Sequence, residues 1–448
     1  MSGGADEGGG VYDAVVIGGG PGGAAAALVL ARAGMRVVVL EKARFPRFHI
    51  GESMLPRLFP LLKELGLEER VRALPHIEKL GAEFGMGDDA NTSRFTFDQG
   101  LLPGFPTANL ERLPFDTMLL EEARLAGAEV HEGVGVERIL KLADGDVCVA
   151  AGGKQIRGRY LLDASGHGTV VGRHLGTRRA VADRELHKVA YFGHFENVER
   201  LPGREEGHPG ILMCDEGWFW VIPLDERRTS VGFVAHPEFV KRVRVPANRM
   251  LAWAVARCPV VRERMARASG DATNEVLADF SYACRPYAGD GYFLIGDAAA
   301  FLDPIFSTGV TLAMMSGVGA ARRTIAVLKG EASPARARRE YIRMMDASSR
   351  PLWRLIRRFY EHSFRELFMN GTGPMQVHRA VISILAGQVF PRPRWCLRWR
   401  LAMFEVFVWL NKWLPLVPRR RRFSLMTSEP VEWTVGMGVS VAAGSVGK

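Results

Sequence analysis

A short apolar run, Tyr12 to Ile17, leads directly into Gly18-Gly19-Gly20-Pro21-Gly22-Gly23 and then into an alanine-rich stretch ending near Ala33. This spacing fits GxGxxG where the pattern has mechanical meaning, after a strand and at the opening of a helix. Gly18 permits the tight turn, Gly20 lets backbone approach a pyrophosphate, and Gly23 lets the helix pack on the strand. The helix N-terminus that follows is suited to an anion. Arg36 to Leu40 supplies a second strand and completes a βαβ unit. Glu41 ends it, 18 residues after Gly23, where a carboxylate accepts hydrogen bonds from ribose hydroxyls. An α/β chain binding a dinucleotide is therefore expected. No second GxGxxG follows a strand, so a dedicated nicotinamide domain is not expected and reducing equivalents must arrive from outside.

At 448 residues, with 47% hydrophobic and 24% charged, the chain has room for two or three domains and is neither disordered nor collagen-like. Its five cysteines are scattered without CxxC or CxxxC spacing, and its histidines form no HxxxH or HxH pair. Neither a disulfide frame nor a metal site is expected, and a reducing cytoplasm suits the chain. The first ten residues lack the charged and apolar regions of a signal peptide and read as a floppy leader. The net charge of +10 is concentrated: residues 392–422 hold nine basic residues against one acid, Glu405. The rest is nearly neutral, so no basic stripe for nucleic acid is expected. Within this tail, Leu401 to Val417 is only 17 residues and contains Glu405, Lys412 and Pro415. That disfavours a membrane-spanning helix. Two readings stay open: an amphipathic helix lying on an anionic membrane surface, or a helical cap over a substrate entrance with its arginines facing water or an acidic carrier protein.

Along the chain, Met54–Leu65 and Phe115–Ala126 have helical spacing, and Glu129–Val136, Val147–Ala151 and Tyr160–Leu162 read as further strands. Between them, residues 82–86, 94–97, 189–195, 218–223 and 229–235 alternate as strands of a second, mostly antiparallel sheet. Asp225 to Arg228 suits a hairpin turn. A long helix is expected over Gly309–Leu328, then a helical basic stretch from Ser333 to about Glu366, with helices at Val377–Leu385 and Trp395–Trp413. The domain division read from this is 11–75, 105–180 and 281–330 for the nucleotide-binding domain, 76–104 and 181–280 for the second sheet, and 331–448 for a carboxy-terminal helical region.

Further motifs sharpen the cofactor. Tyr292 to Ile295 reads as a strand ending in Gly296-Asp297, and Asp163-Ala164-Ser165-Gly166 is a second short signature. Both resemble motifs of the FAD-dependent hydroxylase-like superfamily, which implies a Rossmann-like FAD domain with Asp297 holding the ribityl chain. Gly217-Trp218-Phe219-Trp220-Val221-Ile222-Pro223 matches WxWxIP, with Trp218, Trp220 and Ile222 on one face of a strand. With Phe48 to Pro56, Lys79 in Glu78-Lys79-Leu80-Gly81, and Asp303-Pro304-Ile305-Phe306-Ser307-Thr308-Gly309, the chain resembles the flavin-dependent halogenases over roughly residues 11 to 330. The resemblance implies that FADH2 and O2 oxidise chloride or bromide to hypohalous acid. Backbone N–H groups at Thr308 and Gly309 would hold the halide, with Pro304 and Arg112 near the flavin and Phe306 and Ser307 on the substrate side. The indoles would keep an organic acceptor from the flavin, and Lys79 would receive the oxidant as an ammonium hydrogen bond donor or as a chloramine.

One departure matters. Tryptophan-type members place a glutamate just before Ser-Thr-Gly, where this chain has Phe306. Without that carboxylate the acceptor must bring its own activation, as a phenol or pyrrole does, free or tethered to a carrier protein. A separate flavin reductase is the implied partner. The alternatives are an FAD monooxygenase or isoprenoid reductase on the same scaffold, and a flavin-binding adaptor without activity.

Overall fold

The computed structural model describes residues 10–433 apart from 89–91, 103, 271–274, 302, 371–373, 390–391 and 432. The expected leader at 1–10 lies almost wholly outside the described residues.

The βαβ unit forms as its pattern dictates. Tyr12–Ile17 and Val37–Glu41 pair in parallel, and Pro21–Arg32 is the helix between them, with Pro21 in its first turn where a missing N–H costs nothing. Lys154–Asp163 and Tyr292–Leu294 extend the parallel sheet on one side and Glu129–Glu132 on the other. Near-continuous apolar runs at 14–17, 37–40 and 160–162 match burial on both faces, whereas the edge strand Glu129–Glu132 is polar and partly exposed. The helix Gly309–Leu328 packs against Pro21–Arg32 on one face of this sheet.

The second sheet has seven strands in the order Glu275–Phe280, Lys188–Glu196, Arg228–Ala235, Gly217–Pro223, Gly210–Met213, Gly81–Met86 and Ser93–Thr96. All neighbours are antiparallel except Gly210–Met213 with Gly81–Met86. Strand alternation divides its central strand: Trp218, Trp220 and Ile222 face a cavity. Phe219 packs on Phe233 at 4.7 Å, and Phe233 in turn meets Phe239 at 6.4 Å. Phe239 belongs to the helix Pro237–Val243 and touches Trp253 of Met250–Arg257; these helices, with Pro259–Arg264, were not anticipated from the sequence. The carboxy-terminal helices join the same apolar core, which includes Leu352, Phe359, Phe364, Leu397 and Phe404.

Three boundaries differ from expectation. The helix expected from Met54 starts only at Leu58, because Pro56 disfavours helical backbone at Leu55 and Met54 N instead bonds Ala108 O at 3.0 Å. The run Glu129–Val136 breaks at Gly133, whose φ of +76° ends one strand before Val136–Ala143 begins. The helical stretch from Ser333 breaks after Phe359, and a separate helix spans His362–Met369. A two-stranded ladder pairs His76–Lys79 with Thr107–Leu110. It is the seam between segments that the proposed domain division assigns to different units.

Candidate active site

One cavity of about 520 Å³ brings the motifs together. Its lining includes Gly18, Gly20 and Glu41, then Arg112, Asp297 and Pro304, then Ser307, Thr308 and Gly309, and also Trp218 and Trp220. Gly23 and Gly296 stand behind the wall. A Cβ on Gly23 would lie 1.9 Å from Gly18 O, and Gly18 itself has φ +96°, so both positions demand glycine. Gly296 N donates to Ser316 Oγ at 2.9 Å and holds the following turn against the helix Gly309–Leu328. Glu41 accepts from Gly19 N at 2.6 Å and from Ala43 N at 2.8 Å, which orients its carboxylate over the glycine turn. Asp297 has its carboxyl pushed up by burial, against the opposing charges of His167 and Arg112.

Arg112 faces this cavity, but its donors are already committed: Nε and Nη2 hold Asp116 at 2.7 and 2.8 Å, and Nη1 holds Ile50 O at 2.9 Å. Arg47 is different. Its Nη1 is buried with no hydrogen-bond partner, and its Nη2 lies 3.3 Å from where a Cβ on Gly20 would stand. A donor without an acceptor, next to a glycine turn at a helix N-terminus, fits a pyrophosphate oxygen. The residues present therefore fit FAD.

The Asp303–Gly309 segment is a 3₁₀ turn, Pro304–Phe306, followed by Ser307 at φ +55° and then the helix. Thr308 is the cap residue and its side chain makes no capping bond. The first-turn N–H groups of any helix have no carbonyl before them to pair with. Asp303 accepts from Ile305 N at 3.0 Å and from Tyr360 Oη–H at 2.6 Å; burial pushes its carboxyl up to about 6. Trp218 Nε1–H donates to the same Tyr360 oxygen at 3.1 Å. Tyr360 thus ties the indole to the turn. Phe306, expected on the substrate side, is absent from the cavity lining and meets Phe359 edge-on at 5.6 Å. The turn places Ser307 on the cavity and buries its phenylalanine neighbour on the opposite side.

The two indoles lie 5.9 Å apart, 2% and 5% exposed, and Trp220 Nε1–H is satisfied by Ser230 Oγ at 3.0 Å. Lys79 does not line the cavity. It is 2% exposed, and its Nζ donates to Ser53 Oγ at 2.9 Å and Met54 O at 3.0 Å. Ser53 is a lining residue of the cavity, so the lysine stands one hydrogen bond from its wall. Burial without a carboxylate partner pushes the Lys79 amine down to about 7. On its other side Nζ sits 5.3 Å from the ring centre of Phe97. From there the contacts Phe97–Phe95, Phe95–Phe84, Phe84–Phe359 and Phe359–Phe306 form a continuous aromatic cluster. Lys79 and Phe306 thus both border one aromatic cluster.

Besides Arg47, Ser53 and Tyr360, sequence reasoning passed over the pair Glu52 and His194. Glu52 Oε1 meets His194 Nε2 at 2.6 Å, while its Oε2 is buried without a partner. Burial alone would lower His194; the hydrogen bond and charge of Glu52, with Glu111, hold it above the ordinary imidazole range. Ser53 and Glu52 stand inside the motif Phe48–Pro56, which was the available signal. Nothing in the sequence marked Tyr360. None of residues 392–422 lines this cavity, whereas Leu352, Trp353 and Ile356 of the helix ending at Phe359 do. The helix Trp395–Trp413 is held elsewhere, on His362–Met369 and Val377–Leu385.

Residues 11–340 match the family model described as an FAD binding domain. The protein is an FAD-binding oxidoreductase. Among curated proteins, a tryptophan 2-halogenase of Chondromyces crocatus is 33% identical over 350 residues, 75% of this chain and 66% of that protein. A 1H-pyrrole-2-carbonyl peptidyl-carrier-protein brominase of Pseudoalteromonas luteoviolacea is 33% identical over 321 residues, 69% of this chain and 76% of that one. The solved structure of the flavin-dependent brominase Bmp2 superposes with a TM-score of 0.77 at 29% identity, covering 90% of this chain and 99% of that one. The chain belongs to the flavin-dependent halogenases.

Proposed function

We propose that the protein halogenates an electron-rich aromatic, of phenol or pyrrole type, presented on a carrier protein. The reading is carried by a single arrangement: a buried lysine bonded to Ser53, whose residue lines the same cavity as the glycine turn, the Thr308–Gly309 helix start and two indoles. Bound FAD, supplied reduced by a separate flavin reductase, would provide with O2 the two-electron oxidation of halide to hypohalous acid. The chain does the rest. Gly18, Gly20, Glu41 and Arg47 would hold the dinucleotide, and Asp297 would hold its ribityl chain. The N–H groups of Thr308 and Gly309 hold chloride or bromide, which the helix dipole favours. Trp218 and Trp220 exclude the organic acceptor and bulk water from that end of the cavity. Lys79 then receives the oxidant by way of Ser53 and aims it into the aromatic region that ends at Phe306.

A carrier-tethered pyrrole is favoured because a relative acting on one aligns over 69% of this chain and because Phe306 stands where an activating carboxylate would serve a less reactive ring. The test supplies FAD, a flavin reductase, O2 and chloride or bromide to the protein with free phenols, free pyrroles and a pyrrolyl carrier protein. The carrier-bound ring should gain the mass of one halogen in place of hydrogen. Hydroxylated product indifferent to halide would overturn the reading in favour of a monooxygenase.

A further inference from the structure

The helix Trp395–Trp413 has two unlike sides. Leu397, Phe404, Val408 and Asn411 point inward; Phe404 meets Phe364 edge-on at 5.3 Å, and Asn411 Nδ2 donates to Glu366 Oε2 at 2.9 Å. At 3.6 residues per turn, Trp395, Ala402, Val406, Trp409 and Trp413 fall within an arc of about 60° on the opposite side. That side is bare: Trp395 and Trp413 are each 74% exposed, Trp409 57% and Val406 44%, and Leu414 and Leu416 continue the strip at 61% and 45%. Three indoles in one outward stripe exceed the scattered apolar exposure of an ordinary surface.

The exposed charges around the stripe are predominantly basic. Arg392, Arg394 and Arg398 are exposed at its start and Arg421 and Arg422 beyond its end, while Lys412, just before Trp413, pairs with Glu361 at 2.6 Å and Arg419 with Glu366 at 2.8 Å. The single acid, Glu405, is occupied by Arg358 at 2.9 Å. No described helix is long and apolar enough to cross a membrane. A second copy of the same face would bring like charges together. Nucleic acid would meet valine, leucine and alanine where it needs cations. A flat surface that is apolar a few ångströms down and negative at its rim meets both halves of the pattern, with indoles at the level of the headgroups and guanidinium groups on phosphates.

We propose that this face docks the protein on an anionic lipid surface, with the helix lying in the plane of the headgroups. The proposal stands independently of the halogenation reading. Full-length holoprotein is sedimented with vesicles of phosphatidylcholine alone and of phosphatidylcholine rich in phosphatidylglycerol, at low and at physiological salt. It should travel with the anionic vesicles, less so as salt rises, and scarcely with the neutral ones. Trp409→Ser combined with Trp413→Ser should lower the bound fraction at least tenfold while leaving turnover of a soluble acceptor and the melting temperature as in the parent. Quenching of tryptophan fluorescence by brominated phosphatidylglycerol reads the same contact in the unmutated protein. No sedimentation with either vesicle, unchanged binding by the double variant, or tryptophan-dependent binding to an acidic carrier protein in place of vesicles would each overturn it.

Discussion

Two groups of tryptophans divide this molecule. Trp218 and Trp220 stand on a central strand, their rings buried and each indole N–H given an oxygen, Tyr360 for one and Ser230 for the other. Trp395, Trp409 and Trp413 stand on the outer side of a helix with most of their surface bare. The period of the backbone makes the difference. A spacing of two on a strand puts a pair on one buried face, whereas spacings of four and fourteen on a helix line up a stripe that no described element covers. The same side chain builds an internal wall in one place and an outward surface in the other. In both, its environment rather than its identity gives it meaning.

If the internal pair is a wall, what waits beyond it should matter most. Lys79→Ala should lower halogenated product by about 10²–10⁴-fold or more, the range of a lost proton-handling group, while bound flavin absorbance stays unchanged. Product yield and the flavin spectrum from the same sample check this. Next in size, Trp218→Ala should cost about 3–5 kcal/mol in urea unfolding, as for other large-to-small core changes. Trp409→Ser, its counterpart outside, should stay within about 0.5 kcal/mol. Equal costs would break the comparison.

Lys79 also predicts a pH dependence. Folding pushes its pKa from 10.5 down to about 7, so in that window the unfolded chain carries a proton the folded chain has released. Stability should therefore rise with pH above 7, by about 2 kcal/mol from pH 7 to 9. Lys79→Met should flatten this rise in melting curves taken across that range. Smaller still, Tyr360→Phe removes the hydroxyl shared by Trp218 and Asp303 and should cost about 1–2 kcal/mol. It should raise the halide KM more than it lowers kcat, since it frees the turn that carries Thr308 and Gly309.

Much of this was legible because the features are local. The glycine turn, the strand alternation of Trp218 and Trp220, and the helix at Gly309–Leu328 are set by neighbours a few residues away, and the structure places them together. Arg47 was not legible, because only the folded structure leaves its Nη1 without an acceptor. Tyr360 was hidden for a similar reason: its two partners lie 142 and 57 residues away. The break after Phe359 was masked by unbroken helical spacing, which reports on faces and not on where a side chain must stop to reach a partner. Phe306 and Ser307 were expected together on the substrate side, and only the backbone turn at Ser307 reveals that the two neighbours face opposite ways, Ser307 onto the cavity and Phe306 into the aromatic cluster.

The central claim of the proposed function is spatial: a bound flavin ring and the Lys79 amine would lie on opposite sides of the indole pair. A crystal of the holoprotein grown with bromide reads this directly, since the anomalous signal marks the halide. The account predicts a bromide peak at the Thr308 and Gly309 N–H groups on the flavin side, with Trp218 and Trp220 between the ring and Lys79. A flavin ring in contact with Lys79, or bromide held far from that helix start, would contradict it.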